Sequence, residues 1–336
     1  MKTIRDIAKE AGVSVSTVSR VLNNSGYCSP ETREKVEKAA VDYYPNAIAR
    51  EMVSGRSKTI GVLVSHTPEY FFQSSFYSEV LMGVCDALKE REYHLLLMMN
   101  EKKEDVAKAF YHRQVDGLLL LSANMEENMV EYLQERNIKF VLVGDYRDCE
   151  QPVYKVDVDN ERYAYEAVEY LIGLGHRRIG MISGPLSNGA CFTRLRGYRK
   201  ALSDHNIPVN EDYIQICDSA TEREALNAAK KLLYMRPGVT AVFGFNDTVA
   251  ASVYRAAADL NLSIPGDVSV VGFDDSTIAG YLSPPMTTVM QPSYEKGIKA
   301  ARVLLDLLEK GSAPSQVQNL NCYLVYRKSC AGPKED

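Results

Sequence analysis

The sequence predicts a small all-α head followed by an α/β body of two parallel-sheet lobes. Three observations point there. Apolar stripes at helical spacing occupy residues 3–43. From Thr59 onward, short apolar runs alternate with helical patterns, and that rhythm passes through two similar sets of strands. A chain of 336 residues has length for two or three folding units with an ample core.

The head begins with Thr3-Ile4-Arg5-Asp6, a capping box whose hydroxyl and carboxylate can satisfy the N–H groups exposed at a helix start. Ile4, Ile7, Ala8 and Ala11 give that helix one apolar stripe, and Gly12 stands where it should stop. Ser14 can cap a second helix with Val15, Val18, Val21 and Leu22 on its inward face. The rest of that helix carries Ser14, Ser16, Thr17, Ser19, Arg20 and Asn23 where a solvated helix usually carries Glu and Lys. The pattern is helix, three-residue turn, helix, with a face suited to phosphates and base edges. Ser29-Pro30-Glu31-Thr32 caps a third helix, on which Val36, Ala39, Ala40 and Tyr43 are spaced to pack against the first two. Pro45-Asn46 opens a further segment of about two turns that ends at Ser54-Gly55. A helix so short needs packing to hold it in water, and Gly55-Arg56-Ser57-Lys58 reads as a linker. The expected division is therefore a head over 1–45, a short helix and linker over 46–58, and a body over 59–336.

In the body, strands are expected at 60–64, 95–99, 117–121, 140–143, 179–182, 241–243 and 268–271, with helices between them. Strands apolar on both faces call for parallel sheets covered by helices. Ligands of open α/β sheets lie beyond the carboxyl ends of the strands. The residues to inspect are thus Ser65, Asp145, Asn246-Asp247 and Asp274-Asp275. The glycine-rich stretch from Gly173 to Gly180 has the wrong spacing for a dinucleotide fingerprint and precedes a strand, so His176 is expected to secure a turn.

Composition narrows the function classes. No apolar run reaches the ~18–20 residues that span a bilayer, and the start lacks the apolar core of a signal peptide, so a cytoplasmic location without a membrane is expected. Seven scattered cysteines and five scattered histidines offer no metal or redox spacing, and no cofactor is expected. The net charge of −5 hides an asymmetry: residues 1–59 hold ten Lys and Arg against seven Asp and Glu. A basic head on an acidic body suits a protein that meets phosphates with one end. No phosphate loop, nucleophile elbow or carboxylate pair with a base is present, which argues against an enzyme.

The stretches 4–23, Ser29 to Arg33 and Tyr44 to Arg50 resemble the helix-turn-helix head of the lactose-repressor (LacI/GalR) family. In the body the resemblance continues through Gly175 to Gly180, Arg194 to Tyr198, Asn246-Asp247-Thr248, Val270 to Asp275 and Pro285 to Val289. It implies a core shaped like a periplasmic sugar-binding protein. By the same resemblance Val15, Ser16 and Arg20 read major-groove bases, while Ser14, Thr17, Ser19 and Asn23 hold phosphates. Arg20 is the side chain able to contact guanine bidentately, and Val15 offers apolar contact. The segment 46–53 becomes a hinge helix that enters the minor groove through Ala49 and Met52, with Met52 where the family usually carries leucine. Arg194, Asn246 and Asp274 become the effector ligands, with chemistry suited to paired hydroxyls. Phe245 or Tyr281 could stack on a sugar face. The segment from His66 to Phe72 departs from the family's common form.

The resemblance thus implies a homodimeric regulator, a repressor, that grips double-stranded operator DNA under the control of a small molecule, a sugar. A purine or a protein corepressor is the alternative within the family. A solute-binding receptor and a sugar-modifying enzyme are the alternatives outside it. With eight residues after Lys328, no helical tetramerising tail is expected.

Overall fold

The fold is described from a computed structural model, which covers residues 2–22, 25–41, 43, 56–121, 128–144, 153–218, 221–235, 238–313 and 315–334. Asn23, Asp145 and the segment 46–53 with Ala49 and Met52 lie outside the described residues. The chain divides into two compact units, Met1–Ser57 and Lys58–Asp336.

Among the described residues, the first unit holds three helices: α1 (Ile4–Ala11), α2 (Val15–Leu22) and α3 (Pro30–Ala39). The capping box forms as written in the sequence, with the Thr3 N–H donating to Asp6 Oδ2 at 2.9 Å and the Asp6 N–H to Thr3 Oγ1 at 3.3 Å. Gly12 ends α1 at φ 67°, the left-handed conformation that favours glycine. Ser29 caps α3 by accepting from the Thr32 N–H. Ile7, Ala8, Val18, Val21, Val36 and Ala39 form the core. One expectation is corrected: Val15 and Leu22 do not face inward but are 42% and 36% exposed. Both sit in the end turns of α2, past the small core centred on Val18 and Val21.

The second unit carries two six-stranded sheets. Its elements in chain order are β1 (Thr59–Val64), α4 (Pro68–Gln73), α5 (Ser75–Lys89), β2 (His94–Met99), α6 (Lys103–Tyr111), β3 (Gly117–Leu121), α7 (Met129–Glu135), β4 (Phe140–Val143) and β5 (Lys155–Val158). Then come α8 (Asn160–Gly173), β6 (Ile179–Ser183), α9 (Gly189–Asp204), β7 (Ile214–Ile216), α10 (Glu222–Tyr234), β8 (Ala241–Gly244), α11 (Asp247–Asp259), β9 (Ser269–Asp274) and α12 (Thr277–Tyr281). The last are β10 (Thr287–Met290), α13 (Ser293–Lys310), β11 (Val317–Leu320) and β12 (Tyr323–Val325).

The sheets run β11-β5-β4-β3-β1-β2 and β12-β10-β9-β8-β6-β7, parallel throughout except for the β10–β12 pair. Both have the same order, so the body is one design used twice. The chain changes lobe three times: from β5 into α8, from β10 into α13, and from β11 to β12. Strands β3, β4, β6 and β8 are buried at every residue, as a sheet covered on both faces requires.

Among the described residues, a helix pair in each lobe comes into close approach. On α5 and α13, a Cβ at Gly83 would lie 2.0 Å from the Tyr294 carbonyl oxygen, and one at Gly297 would lie 2.0 Å from that of Val80. On α8 and α9, a Cβ at Gly197 would meet the Glu161 carbonyl oxygen at 2.2 Å. Backbone therefore touches backbone at these crossings. His176 secures its turn: Nδ1 meets Thr240 Oγ1 at 2.9 Å, and Nε2 meets Ser269 Oγ at 3.1 Å and the Ala331 carbonyl at 2.8 Å.

Candidate functional site

On α2 the polar face is built around one hydroxyl. Ser14 Oγ receives the Thr17 N–H at 3.1 Å and lies 2.7 Å from Ser16 Oγ and 2.9 Å from Thr17 Oγ1. The cap that starts the helix thus gathers three hydroxyls at its exposed N-terminal end. The dipole there favours anions. Arg20 is exposed one turn further on. Gly26, at φ 90°, lies beside it, and a Cβ there would be 3.5 Å from Arg20 Cδ. Ser19 is half-buried on the same helix. Val15, Ser14, Ser16 and Arg20 therefore share an accessible surface, while Val18 and Val21 fix α2 to the core.

In the second unit, Asn160, Phe245, Asp274 and Gln291, which stand at or just past the ends of β5, β8, β9 and β10, gather around Arg194 and each other. Arg194 on α9 is 5% exposed. Its Nε donates to Asn160 Oδ1 at 2.9 Å and one terminal nitrogen donates to the Phe245 carbonyl. The same nitrogen lies 3.8 Å from Asp274 Oδ1, and the guanidinium carbon sits 3.5 Å from the centre of the Phe273 ring. Asp274 adopts φ 117°, a backbone angle rarely taken by residues with side chains. Its Oδ1 also accepts from the Gln291 amide. Burial pushes the Asp274 carboxyl above the usual carboxylate range, opposed by Arg194, Gln291 and Lys296.

Asn246 caps α11, its Oδ1 accepting the Val249 N–H at 2.9 Å. Phe245 offers its carbonyl to Arg194, and its ring is 6% exposed; a Cβ at Gly184 would lie 3.0 Å from its Cζ. Tyr281 is 84% exposed on α12. The structure thus brings Arg194, Asp274 and the Phe245 carbonyl together, while the Tyr281 side chain is largely exposed.

Several residues at this junction escaped the reading of the sequence. Gln291 bridges Asp274 and Lys296, whose Nζ lies 3.1 Å from Gln291 Oε1 and 3.1 Å from Asp157 Oδ1. Asn160 Nδ2 donates to Asp157 Oδ2 at 3.3 Å. From the first lobe comes an aromatic group. His66 lies 4.7 Å from Tyr70 and 5.3 Å from Tyr77, ring centre to ring centre, and Phe76 packs on Tyr77 at 5.1 Å. Burial lowers the His66 imidazole to about 4, so it is neutral at pH 7, and its Nε2 is buried without a hydrogen-bond partner. Burial raises the Tyr70 phenol, which also feels Cys191, Asp274 and Arg194 of the second lobe. Asp159-Asn160 and Gln291-Pro292 directly follow β5 and β10, so the rule of looking beyond strand ends would have found them had those strands been recognised.

Residues 3–46 match the bacterial regulatory proteins of the lacI family, and residues 168–330 match the periplasmic binding protein-like domain. The HTH-type transcriptional repressor PurR of Vibrio campbellii is 34% identical over 339 residues, covering 98% of each chain. The transcriptional regulator CelR, solved as its cellobiose complex, is 34% identical with a TM-score of 0.76, over 98% of this chain and 100% of that one. The lac repressor dimer bound to operator and the anti-inducer ONPF is 27% identical with a TM-score of 0.86, over 98% and 99%. With the head matching the family's own model and a relative alike from end to end, the chain belongs to the lacI family of bacterial regulatory proteins, DNA-binding regulators with a ligand-binding domain.

Proposed function

We propose that this regulator is a homodimeric repressor in the cytoplasm whose hold on operator DNA is set by a sugar bound between the lobes of its body. In this reading residues 1–45 are the DNA-binding head and 46–58 the hinge helix and linker, with 59–336 binding the effector and pairing with a second copy. Val15, Ser16 and Arg20 meet base edges, and Ser14, Thr17, Ser19 and Asn23 hold phosphates. Ala49 and Met52 enter the minor groove. Two heads on a two-fold axis match two half-sites about one helical turn apart. The lac repressor dimer bound to operator supports the DNA partner and the pairing.

The observation that carries the effector reading is the buried Arg194–Asp274 pair at the lobe junction, beside a first-lobe group of neutral aromatic rings. A guanidinium and a carboxylate with Asn246 nearby can address paired hydroxyls, and aromatic rings suit the apolar faces of a sugar. The CelR–cellobiose complex is in keeping with this. A second reading, a purine effector, is favoured by the same flat rings and by the likeness to PurR. The effector moves the regulator between states only by its differential affinity for them.

The test is the melting temperature of the purified protein against cellobiose, ribose, sugar phosphates, nucleosides, hypoxanthine and guanine. Arg194→Ala serves as control. A sugar at about 100 times its Kd should add about 2.7 kcal/mol, and the shift should vanish in the variant. A response to purines alone would replace the sugar reading with the second one. Silence across the panel would overturn both.

A further inference from the structure

Six side chains close a circuit at the junction of the lobes. Lys296 meets Asp157, Asp157 meets Asn160, Asn160 meets Arg194, Arg194 meets Asp274, Asp274 meets Gln291, and Gln291 returns to Lys296. Asp157 and Asn160 flank the first change of lobe, and Gln291 and Lys296 flank the second. Five of the six are at most 5% exposed, Asp274 being the other.

Within this circuit the Lys296–Asp157 pair is not explained by stability. Two apolar side chains of similar size would fill the space as well, because a buried ion pair loses in desolvation about what it gains in attraction. Its effect is on orientation. An ammonium only donates, so Lys296 fixes which end of the Gln291 amide it faces: Oε1 must turn to Lys296, and Nε2 is left to donate to Asp274. Asp157 in turn holds Lys296 and, through its other oxygen, orients Asn160, whose Oδ1 receives Arg194. Lys296 also stands 5.2 Å from the centre of the Phe76 ring in the first lobe.

We propose that Lys296 and Asp157 are positioning residues of the effector site: paired across the two changes of lobe, they set Gln291 and Asn160 and through them Asp274 and Arg194. The proposal rests on the reading that the effector meets Arg194 and Asp274. Neither Lys296 nor Asp157 need touch the ligand.

The experiment compares the full chain with the double variant Asp157→Leu/Lys296→Met, which keeps volume and removes both charges. The double variant should melt within a few degrees of the wild type, and Asp157→Leu alone, which strands the ammonium, should melt lower than the double variant. Amide hydrogen exchange at 272–276 and 289–293 should be at least tenfold faster in the double variant, with 179–182 and 241–244 unchanged. Wild-type exchange at 272–276 in a folded double variant would overturn the proposal, as would a single variant no less stable than the double one. If the double variant does not fold, Asp157→Asn, which keeps the shape, gives the same exchange readout. In a ligand arm, whichever of cellobiose, ribose or guanine stabilises the wild type should bind the double variant at least tenfold more weakly, and equal affinity would also overturn the proposal. If none of the three stabilises the wild type, the effector reading is what fails, and exchange still decides the positioning role.

Discussion

Replacing Asp247 by Asn should flatten a pH dependence that runs against the usual one for carboxylates. Asp247 is fully buried at the start of α11, where Oδ2 accepts from the Ser276 N–H at 2.6 Å and the Ser276 hydroxyl at 2.8 Å, and Oδ1 accepts from the Thr288 hydroxyl. Burial, and after it the neighbouring Asp274, push this carboxyl up to about 7 against the pull of those donors. An unfolded Asp ionises near 3.9. Between about pH 4 and pH 7 the folded group holds a proton that the unfolded group has released, so raising the pH draws the equilibrium towards the unfolded chain. The stability concerned is fully present below about pH 4 and gone above about pH 7. About three pH units at roughly 1.4 kcal/mol each give on the order of 4 kcal/mol. The amide of Asn does not titrate. It can keep an oxygen towards Ser276 and turn its NH₂ to Thr288, whose hydroxyl rotates to accept. The assay is urea unfolding of both proteins, followed by circular dichroism, at pH 5, 6, 7 and 8. Titrating groups that do not feel Asp247 cancel in the difference, and the variant should gain on the wild type by up to about 1.4 kcal/mol per unit towards pH 7 and then level off, with the Asp247–Asp274 pair titrating together. Parallel curves for the two proteins would refute the reasoning.

Arg194→Met strands the buried Asp274 carboxyl, at about 3 kcal/mol and a melting temperature lower by about 6–12 °C for a unit of this size; an unchanged melting curve would show that the pair carries no such weight. Gly297→Ala places a Cβ 2.0 Å from the Val80 carbonyl oxygen and must part α5 from α13. A loss of about 1–3 kcal/mol in thermal or urea unfolding is expected. Arg20→Ala should leave folding intact and lower the preference for operator over unrelated DNA by about 5–150-fold, the equivalent of ~1–3 kcal/mol. Fluorescence anisotropy with both DNAs at one salt concentration checks it.

The parts legible in the sequence were those written in local chemistry. Thr3 and Asp6 announced the start of α1, Gly12 its end and Ser29-Pro30 the start of α3, because caps depend on a few adjacent residues. Strands β1, β3, β4, β6 and β8 were legible as unbroken apolar runs. Strands β5, β7, β11 and β12 were missed: all have only three or four residues, and the first three carry polar or charged members such as Lys155, Asp157, Gln215, Gln318 and Asn319. Strand β10 was met only within the family resemblance. Asp274 was reached by looking beyond the strand ends and, together with Arg194, through that resemblance, whereas Asp157, Gln291 and Lys296 were reached by neither. Their significance lies in pairing across 139 residues between Lys296 and Asp157, a separation at which no local pattern is visible. Val15 and Leu22 fit the apolar stripe of α2 by spacing but lie beyond the ends of a core too small to cover them.

The two final strands have a consequence for how the protein is made. β11 forms an edge of the first sheet, and only two residues later β12 forms an edge of the second. Beyond them Ser329 is tied into the second lobe, accepting the Thr287 N–H at 2.8 Å and donating to the Val270 carbonyl at 2.6 Å. Neither lobe is therefore an uninterrupted stretch of chain. During synthesis, at about 5–20 residues per second, β1 to β5 leave the ribosome long before their sheet can be completed. Both lobes must wait, each with an unpaired edge strand, for the same short piece of polypeptide, and a nascent chain arrested before residue 317 would expose two open sheets at once.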